Sequence, residues 1–141
     1  MVDCEIIKSC ENIDFSQVCD ILSFYGLSNF DNETQKKVFE NSYAVVFLKY
    51  EDTVIGTGRA VSDGICQAAL YNIAVRDEYR EMGLGKLILD NLLSQLKGCN
   101  VILYTHPKHI GLYEHWGFSK MKTGYAMYID EEHYREEGFI D

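Results

Sequence analysis

The chain has 141 residues, 47% of them hydrophobic and one a proline, so it can bury a core but has no spare length for a second, and a single domain over 1–141 is expected. The formal net charge is −9 and the 13 basic residues do not cluster, which argues against nucleic acid, because phosphate binding needs concentrated Lys and Arg. The longest unbroken apolar run, YAVVFL, is far short of the roughly 20 residues of a membrane span, and the acidic start MVDCE lacks a signal peptide's basic-then-apolar layout. A soluble cytoplasmic protein with no membrane partner is expected.

In chain order, CEIIKSC reads as an edge strand. DFSQVCDILSFYGL opens with Asp14 as N-cap and carries apolar residues at 15, 18, 21, 22 and 25, the spacing of an amphipathic helix. DNETQKKVFENS reads as a second, more polar helix with an Asp or Asn at its start. SYAVVFLKY and TVIGTGRAV, joined by ED, read as an antiparallel hairpin over 42–61, and QAALYNIAV as a central strand. Beyond REMGLGK, apolar residues at 84, 87, 88, 89, 92, 93 and 96 predict the longest helix, with Gly98 as its C-terminal glycine. NVILYT reads as a buried strand, PKHIGLYEHW as a short helix with Pro107 in its first turn, and GYAMYI as a final strand. The tail DEEHYREEGFID fits a helical turn or a frayed end. The order is mixed α/β.

The five cysteines, at 4, 10, 19, 66 and 99, are odd in number and hold no C-x-x-C pair, which points to reduced thiols, not to a disulfide framework or a zinc ribbon. His106, His109 and His115 lie close together but lack a carboxylate or cysteine at a supporting spacing, so no metal is expected. The acidic balance either steers a cationic substrate such as an amine or only confers solubility.

REMGLGK sits between a strand and a helix. Such a loop aims unpaired backbone N–H groups at one spot, where the helix dipole adds partial positive charge, and Gly83 and Gly85 would let the backbone approach a phosphate. The Walker pattern fails at Arg80 and Leu87, and the Rossmann pattern at Ile88. A tight helix entry without a ligand is the alternative.

R-x-x-G-x-G after NIAVRDEY, followed by LYEHWGF, resembles the acetyl-coenzyme A signature of the GCN5-related N-acetyltransferase family. The matching residues are Ile73, Ala74 and Val75, then Arg80, Gly83 and Gly85, then Tyr113, Gly117 and Phe118. The resemblance covers the whole element order. It implies a mostly antiparallel sheet with splayed central strands flanked by helices, and acetyl transfer from acetyl-CoA to an amine by direct attack. It also implies that Met82, Gly83, Leu84, Gly85 and Lys86 hold the pyrophosphate through backbone N–H groups. A free N–H near Ile73 to Val75 would stabilise the oxyanion, and Tyr113 would protonate the leaving thiolate. As an unaided residue, Tyr113 could equally pack beside Trp116 and Phe118.

Glu81 stands where the family often has glycine, Met82 where it often has a basic residue, and His106 where many members have a cofactor-contacting asparagine. Asp63 and Tyr71 are the candidates for the base, although SDG also suits a plain turn at Asp63. GRA-x-SD with the central strand resembles the plastid and bacterial branch that includes serotonin-type arylalkylamine acetyltransferases, which favours a small free amine. A protein lysine or N-terminus as acceptor and a CoA-binding module without catalysis are the rivals, and a homodimer through the C-terminal strands is possible.

Overall fold

The computed structural model describes residues 3–141. They form two compact units, one running to Leu103 and the other Tyr104–Asp141.

The first unit opens with a short edge strand, β1 (Glu5–Ile7). Helix α1 (Phe15–Phe24) begins at Asp14, whose carboxylate accepts the Ser16 N–H at 3.0 Å. Helix α2 (Asn32–Glu40) begins at Asp31, which accepts the Thr34 N–H at 2.8 Å. Each carboxylate satisfies a donor that the helix cannot satisfy itself. The hairpin follows as β2 (Ala44–Tyr50) and β3 (Thr53–Ser62). Its turn places Glu51 and Asp52 at φ +49° and +65°, both left-handed, as a two-residue hairpin loop that follows the strand twist requires. Strand β4 (Gln67–Val75) pairs antiparallel with β3 and parallel with β5 (Asn100–Ile102), giving the sheet order β1-β2-β3-β4-β5.

The sheet's two faces bury two different sets of side chains. On one, α1 and α2 pack Phe15, Val18, Leu22 and Phe39 against Val45, Phe47 and Ala74, with the Phe15, Phe39 and Phe47 rings 5.4–5.9 Å apart. On the other lies α3 (Leu84–Leu93), which buries Leu84, Ile88, Leu89 and Leu92. A side chain at Gly58 would come within 2.7 Å of Ile88 Cγ2, so glycine there sets how closely helix and sheet approach.

The second unit holds α4 (Ile110–His115), entered through a 3-10 turn at Pro107–His109, and α5 (Glu131–Glu136). Its aromatic rings group together, with Tyr134 stacked on Tyr128 at 3.7 Å and edge-on to Phe139 at 5.2 Å.

Three expectations are corrected. Helix α3 stops at Leu93 because the next N–H groups bond three residues back, Gln95 to Leu92 and Leu96 to Leu93, which tightens the chain into turns. Strand β5 pairs over three residues only, not over all of NVILYT. GYAMYI joins no ladder: Tyr125, Met127 and Ile129 keep a strand's alternation but are fully exposed, since alternation alone does not supply a hydrogen-bonded neighbour. The ambiguous tail is helical because the Asp130 carboxylate accepts the His133 N–H at 3.2 Å and caps α5.

Candidate functional site

Strand β4 changes register partway along. It pairs Gly56 with Val75 and Thr57 with Ala74, but Arg59 with Tyr71 and Ala60 with Leu70. One extra residue therefore lies in β4 opposite Gly58, and Asn72 takes it up at φ +59°. This is a β-bulge, and Asn is among the few non-glycine residues that enter the left-handed region at modest cost.

The bulge coincides with the place where β4 loses its other neighbour. β5 pairs only with Gln67, Ala68 and Ala69, so from Leu70 to Val75 no strand among the described residues covers that edge. The direction of the edge groups follows from the ladder. The Arg76 N–H donates to the Ile55 carbonyl at 2.7 Å, so residue 76 faces β3 and, by alternation, the N–H and C=O groups of Val75 and Ile73 face the open side. The Tyr25 hydroxyl donates to the Val75 carbonyl at 2.6 Å, as that orientation allows. Ala74, between them, points its backbone at β3 and its side chain into the α1 face.

The chain leaves β4 through Arg76, whose guanidinium donates to the Val54 and Gln17 carbonyls at 2.8 and 3.4 Å. A 3-10 turn at Asp77–Tyr79 follows, and Arg80 folds back onto Asp77 at 3.3 Å. Glu81 then sits at φ +62° and Gly83, the N-cap of α3, at φ +76°. The space around a Cβ on Gly83 is open, so the left-handed backbone, not crowding, is what calls for glycine there. Met82 is exposed, and Leu84, Gly85 and Lys86 form the first turn of α3, whose N–H groups have no intrahelical acceptor. The Lys86 ammonium pairs with Asp90 at 2.5 Å, one turn along the helix. Positive character at this loop therefore comes mainly from backbone N–H groups and the helix dipole.

The base candidates separate. The Asp63 carboxylate accepts the Ile65, Cys66 and Gln67 N–H groups at 2.7, 2.8 and 3.3 Å and the Cys66 thiol at 3.2 Å. These bonds, led by the Cys66 and Ile65 N–H groups, hold it far below the usual carboxylate range. It serves the turn into β4, the alternative reading of SDG, and a carboxylate so satisfied is a weak proton acceptor. Tyr71 lies on β4 beside the bulge, its ring 5.0 Å from the Arg59 guanidinium carbon.

In the second unit, Tyr113 is half-buried on α4, edge-on to Trp116 and Phe118 at 5.5 and 5.6 Å, and burial pushes its phenol above the ordinary tyrosine value. Gly117 has φ +94°; its N–H donates to the Glu114 carbonyl and the Phe118 N–H to the Tyr113 carbonyl. Y-x-x-x-G-F is thus a helix stop of the Schellman type, sealed by the contact between Phe118 and Tyr113. Sequence reading missed that the stop recurs at the end of α5, where Gly138 has φ +86° and the Phe139 N–H donates to the Tyr134 carbonyl. HYREEGF was the available signal. Nearby, His106 accepts the Lys108 N–H through Nδ1 at 3.2 Å, and its Nε2 lies 3.8 Å from Glu137.

Residues 41–120 match the acetyltransferase (GNAT) domain, more than half of the chain. The chain belongs to the GCN5-related N-acetyltransferase family. Among its relatives is the Arabidopsis thaliana protein GCN5-related N-acetyltransferase 1, chloroplastic, 27% identical over 79% of this chain and 59% of the relative. Another is the Oryza sativa subsp. japonica protein serotonin N-acetyltransferase 2, chloroplastic, 25% identical over 79% of this chain and 60% of the relative. The chain thus spans about three-fifths of the length of these relatives. Among solved structures, the GNAT-family acetyltransferase of Streptococcus pneumoniae TIGR4 superposes with a TM-score of 0.76 at 22% identity, over 91% of this chain and 98% of the other. That likeness places the mixed sheet and its flanking helices within the GNAT fold. No helix among the described residues is long and apolar enough to cross a membrane.

Proposed function

We propose that this chain transfers the acetyl group of acetyl-CoA to the primary amine of a small molecule. The observation that carries the reading is the open edge of β4, where Ile73 and Val75 turn their backbone groups outward and lead into a helix entry of free N–H groups headed by Gly83. An extended amide-bearing arm can bond such an edge as an added strand does. A pyrophosphate suits the N–H groups from Met82 to Lys86, with Arg80 beside them and Ala74 anchoring the strand from the core side. The edge carbonyl that such an arm would use at Val75 now accepts Tyr25.

In the reaction, the neutral amine nitrogen attacks the thioester carbonyl carbon. The carbonyl oxygen takes up negative charge and is met by an outward N–H of Ile73 or Val75. The carbon–sulfur bond then breaks, the thiolate takes the proton of the Tyr113 hydroxyl, and the nitrogen loses its extra proton to water or by way of Tyr71. Tyr113 regains its proton from solvent. A tyrosine phenol is protonated at neutral pH, as a proton donor must be, and burial shifts it further in that direction. The alternative in which Tyr113 only packs remains available to its ring contacts, and the proton-donor role rests on the family motif. His106 belongs to the reading as a cofactor-edge residue in place of the family's asparagine, although both its nitrogens now face groups of its own unit.

A small amine is favoured by the similarity to the rice protein named for serotonin and by the acidic net charge of −9. A cytoplasmic, reducing setting goes with this reading, supported by the free thiols at Cys4, Cys10, Cys19, Cys66 and Cys99. The test is thiol release from acetyl-CoA across polyamines, arylalkylamines, amino acids and peptides, alongside calorimetric titration with acetyl-CoA. Turnover on a small amine is expected. Turnover confined to peptides would assign a protein acceptor, and acetyl-CoA binding with no turnover would assign a binding module.

A further inference from the structure

We propose that Arg59 is a positioning residue for acetyl transfer, acting through Asn72 to hold the β4 bulge and so to fix the direction of the backbone N–H groups that meet the thioester carbonyl. The inference rests on the reading of the β4 edge given above.

Asn72 is the bulge residue, and its side chain is held from the neighbouring strand. The Arg59 Nε donates to Asn72 Oδ1 at 2.5 Å. The same guanidinium lies 5.0 Å from the centre of the Tyr71 ring and 5.9 Å from that of Phe39, and its Nη1 donates to Ser42 Oγ at 3.3 Å. Ser42 in turn donates to the Val38 carbonyl at 2.8 Å, at the end of α2. One planar cation is thus fixed by β4, by two rings and by the end of α2. A guanidinium can do this and an ammonium cannot, because its donors form a rigid fork on a flat, stackable group.

The consequence lies in the strand's alternation. With the bulge in place, Tyr71 and Ala74 are three residues apart yet share the α1–α2 face, with Arg59 near one and Phe47 and Val18 in the cluster around the other. Ile73 turns toward the α3 side, where its Cγ1 would lie 3.3 Å from a Cβ on Gly58. If Asn72 relaxed to an extended φ, the pairing would slip by one residue and the edge-facing and β3-facing amides would exchange. Arg59 touches neither substrate in this account. It selects the register in which the outward amides are those of Ile73 and Val75.

A thioester carbonyl is present in acetyl-CoA and absent from CoA, so the two ligands separate this role from general support of the fold. In calorimetric titrations of the full chain, the parent is expected to bind acetyl-CoA roughly three- to tenfold more tightly than CoA, the range of one net hydrogen bond. Asn72→Gly keeps the left-handed backbone accessible but removes the acceptor, and Arg59→Met removes the donor. Each is expected to weaken acetyl-CoA binding more than CoA binding, and so to bring the ratio close to one. Asn72→Asp, which retains an acceptor and tolerates the same φ, is expected to restore the ratio. With carbonyl-¹³C acetyl-CoA, the bound carbonyl stretch should sit below its free value in the parent and return toward it in Asn72→Gly. A ratio that survives both substitutions overturns the proposal. So does a ratio near one in the parent, or a parallel loss of acetyl-CoA and CoA affinity in the variants, which would mark Arg59 as structural only. A parent that binds neither ligand overturns the functional reading and this inference with it, an outcome distinct from the others.

Discussion

Thr57 carries a hydroxyl with no hydrogen-bond partner at 0% exposure, on β3 opposite Phe47 and Ala74. A buried hydroxyl left unsatisfied costs free energy that an apolar group of similar shape does not. Thr57→Val is therefore expected to be neutral or to stabilise by about 1 kcal/mol in denaturant unfolding; a loss of that size would mean that the hydroxyl has a partner in solution. Asp63 makes the opposite case. Its carboxyl titrates well below the usual range because three backbone N–H groups and a thiol donate to it. A pKa lowered by folding stabilises above the unfolded value, about 3.9, and that stability is lost as pH falls toward the folded value. Asp63→Ala should melt below the parent at pH 7, and the gap should close as pH drops below about 4. A gap independent of pH would show that the charge is not what the turn uses. The SDG letters showed this turn in advance, because Asp before Gly is the usual maker of one. Asn72 was legible only in part: an Asn inside an apolar strand hints at a left-handed residue, but its partner Arg59 lies 13 positions away and is visible only once the strands pair.

Among the elements, the entry to α3 places one non-glycine residue in the left-handed region, directly before the N-cap turn. Glu81 holds φ +62° without being glycine, a backbone conformation that glycine adopts at lower cost. Glu81→Gly should stabilise by about 1 kcal/mol in urea unfolding. It should also tighten acetyl-CoA binding, more so at low salt, by removing a carboxylate from the loop. Looser binding at low salt would place that carboxylate away from the ligand. The exit of α4 is a helix stop, and the same stop ends α5, so Gly117 and Phe118 are accounted for by capping alone. The proton-donor role of Tyr113 needs its own test. Tyr113→Phe keeps the ring contacts with Trp116 and Phe118 and is expected to lower kcat about 100-fold with little change in KM. The parent's rate should fall on a limb above pH 10 that the variant lacks, since burial raises the phenol pKa. Unchanged kcat would leave Tyr113 a packing residue. Helices with a capping Asp and a regular apolar spacing were legible, as at Asp14. GYAMYI was not, because a strand is made by its neighbour, and the spacing of Tyr125, Met127 and Ile129 carries no information about one.

At the scale of the molecule, the buried hydrophobic side chains among the described residues all lie between Phe15 and Leu96, and the second unit is held by grouped aromatic rings that remain partly exposed. The succession of strands and helices followed from hydrophobic periodicity and the fold class from the family resemblance, whereas the sheet order and the two-faced core emerge only once the strands pair. The split between β4 and β5 was not a property of either strand's residues; it arises where β5 stops pairing at Ile102 while β4 runs on to Val75. Whether that open edge and the α3 entry bind acetyl-CoA is the claim on which the rest stands. The most direct measurement is calorimetric titration of acetyl-CoA into the parent chain and into Gly83→Asp, with circular dichroism of both. The account predicts binding by the parent and at least about tenfold weaker binding by the variant with its secondary structure retained, because a strained backbone and a negative charge enter the anion site. Equal affinity in the two, or no binding by the parent, would contradict it.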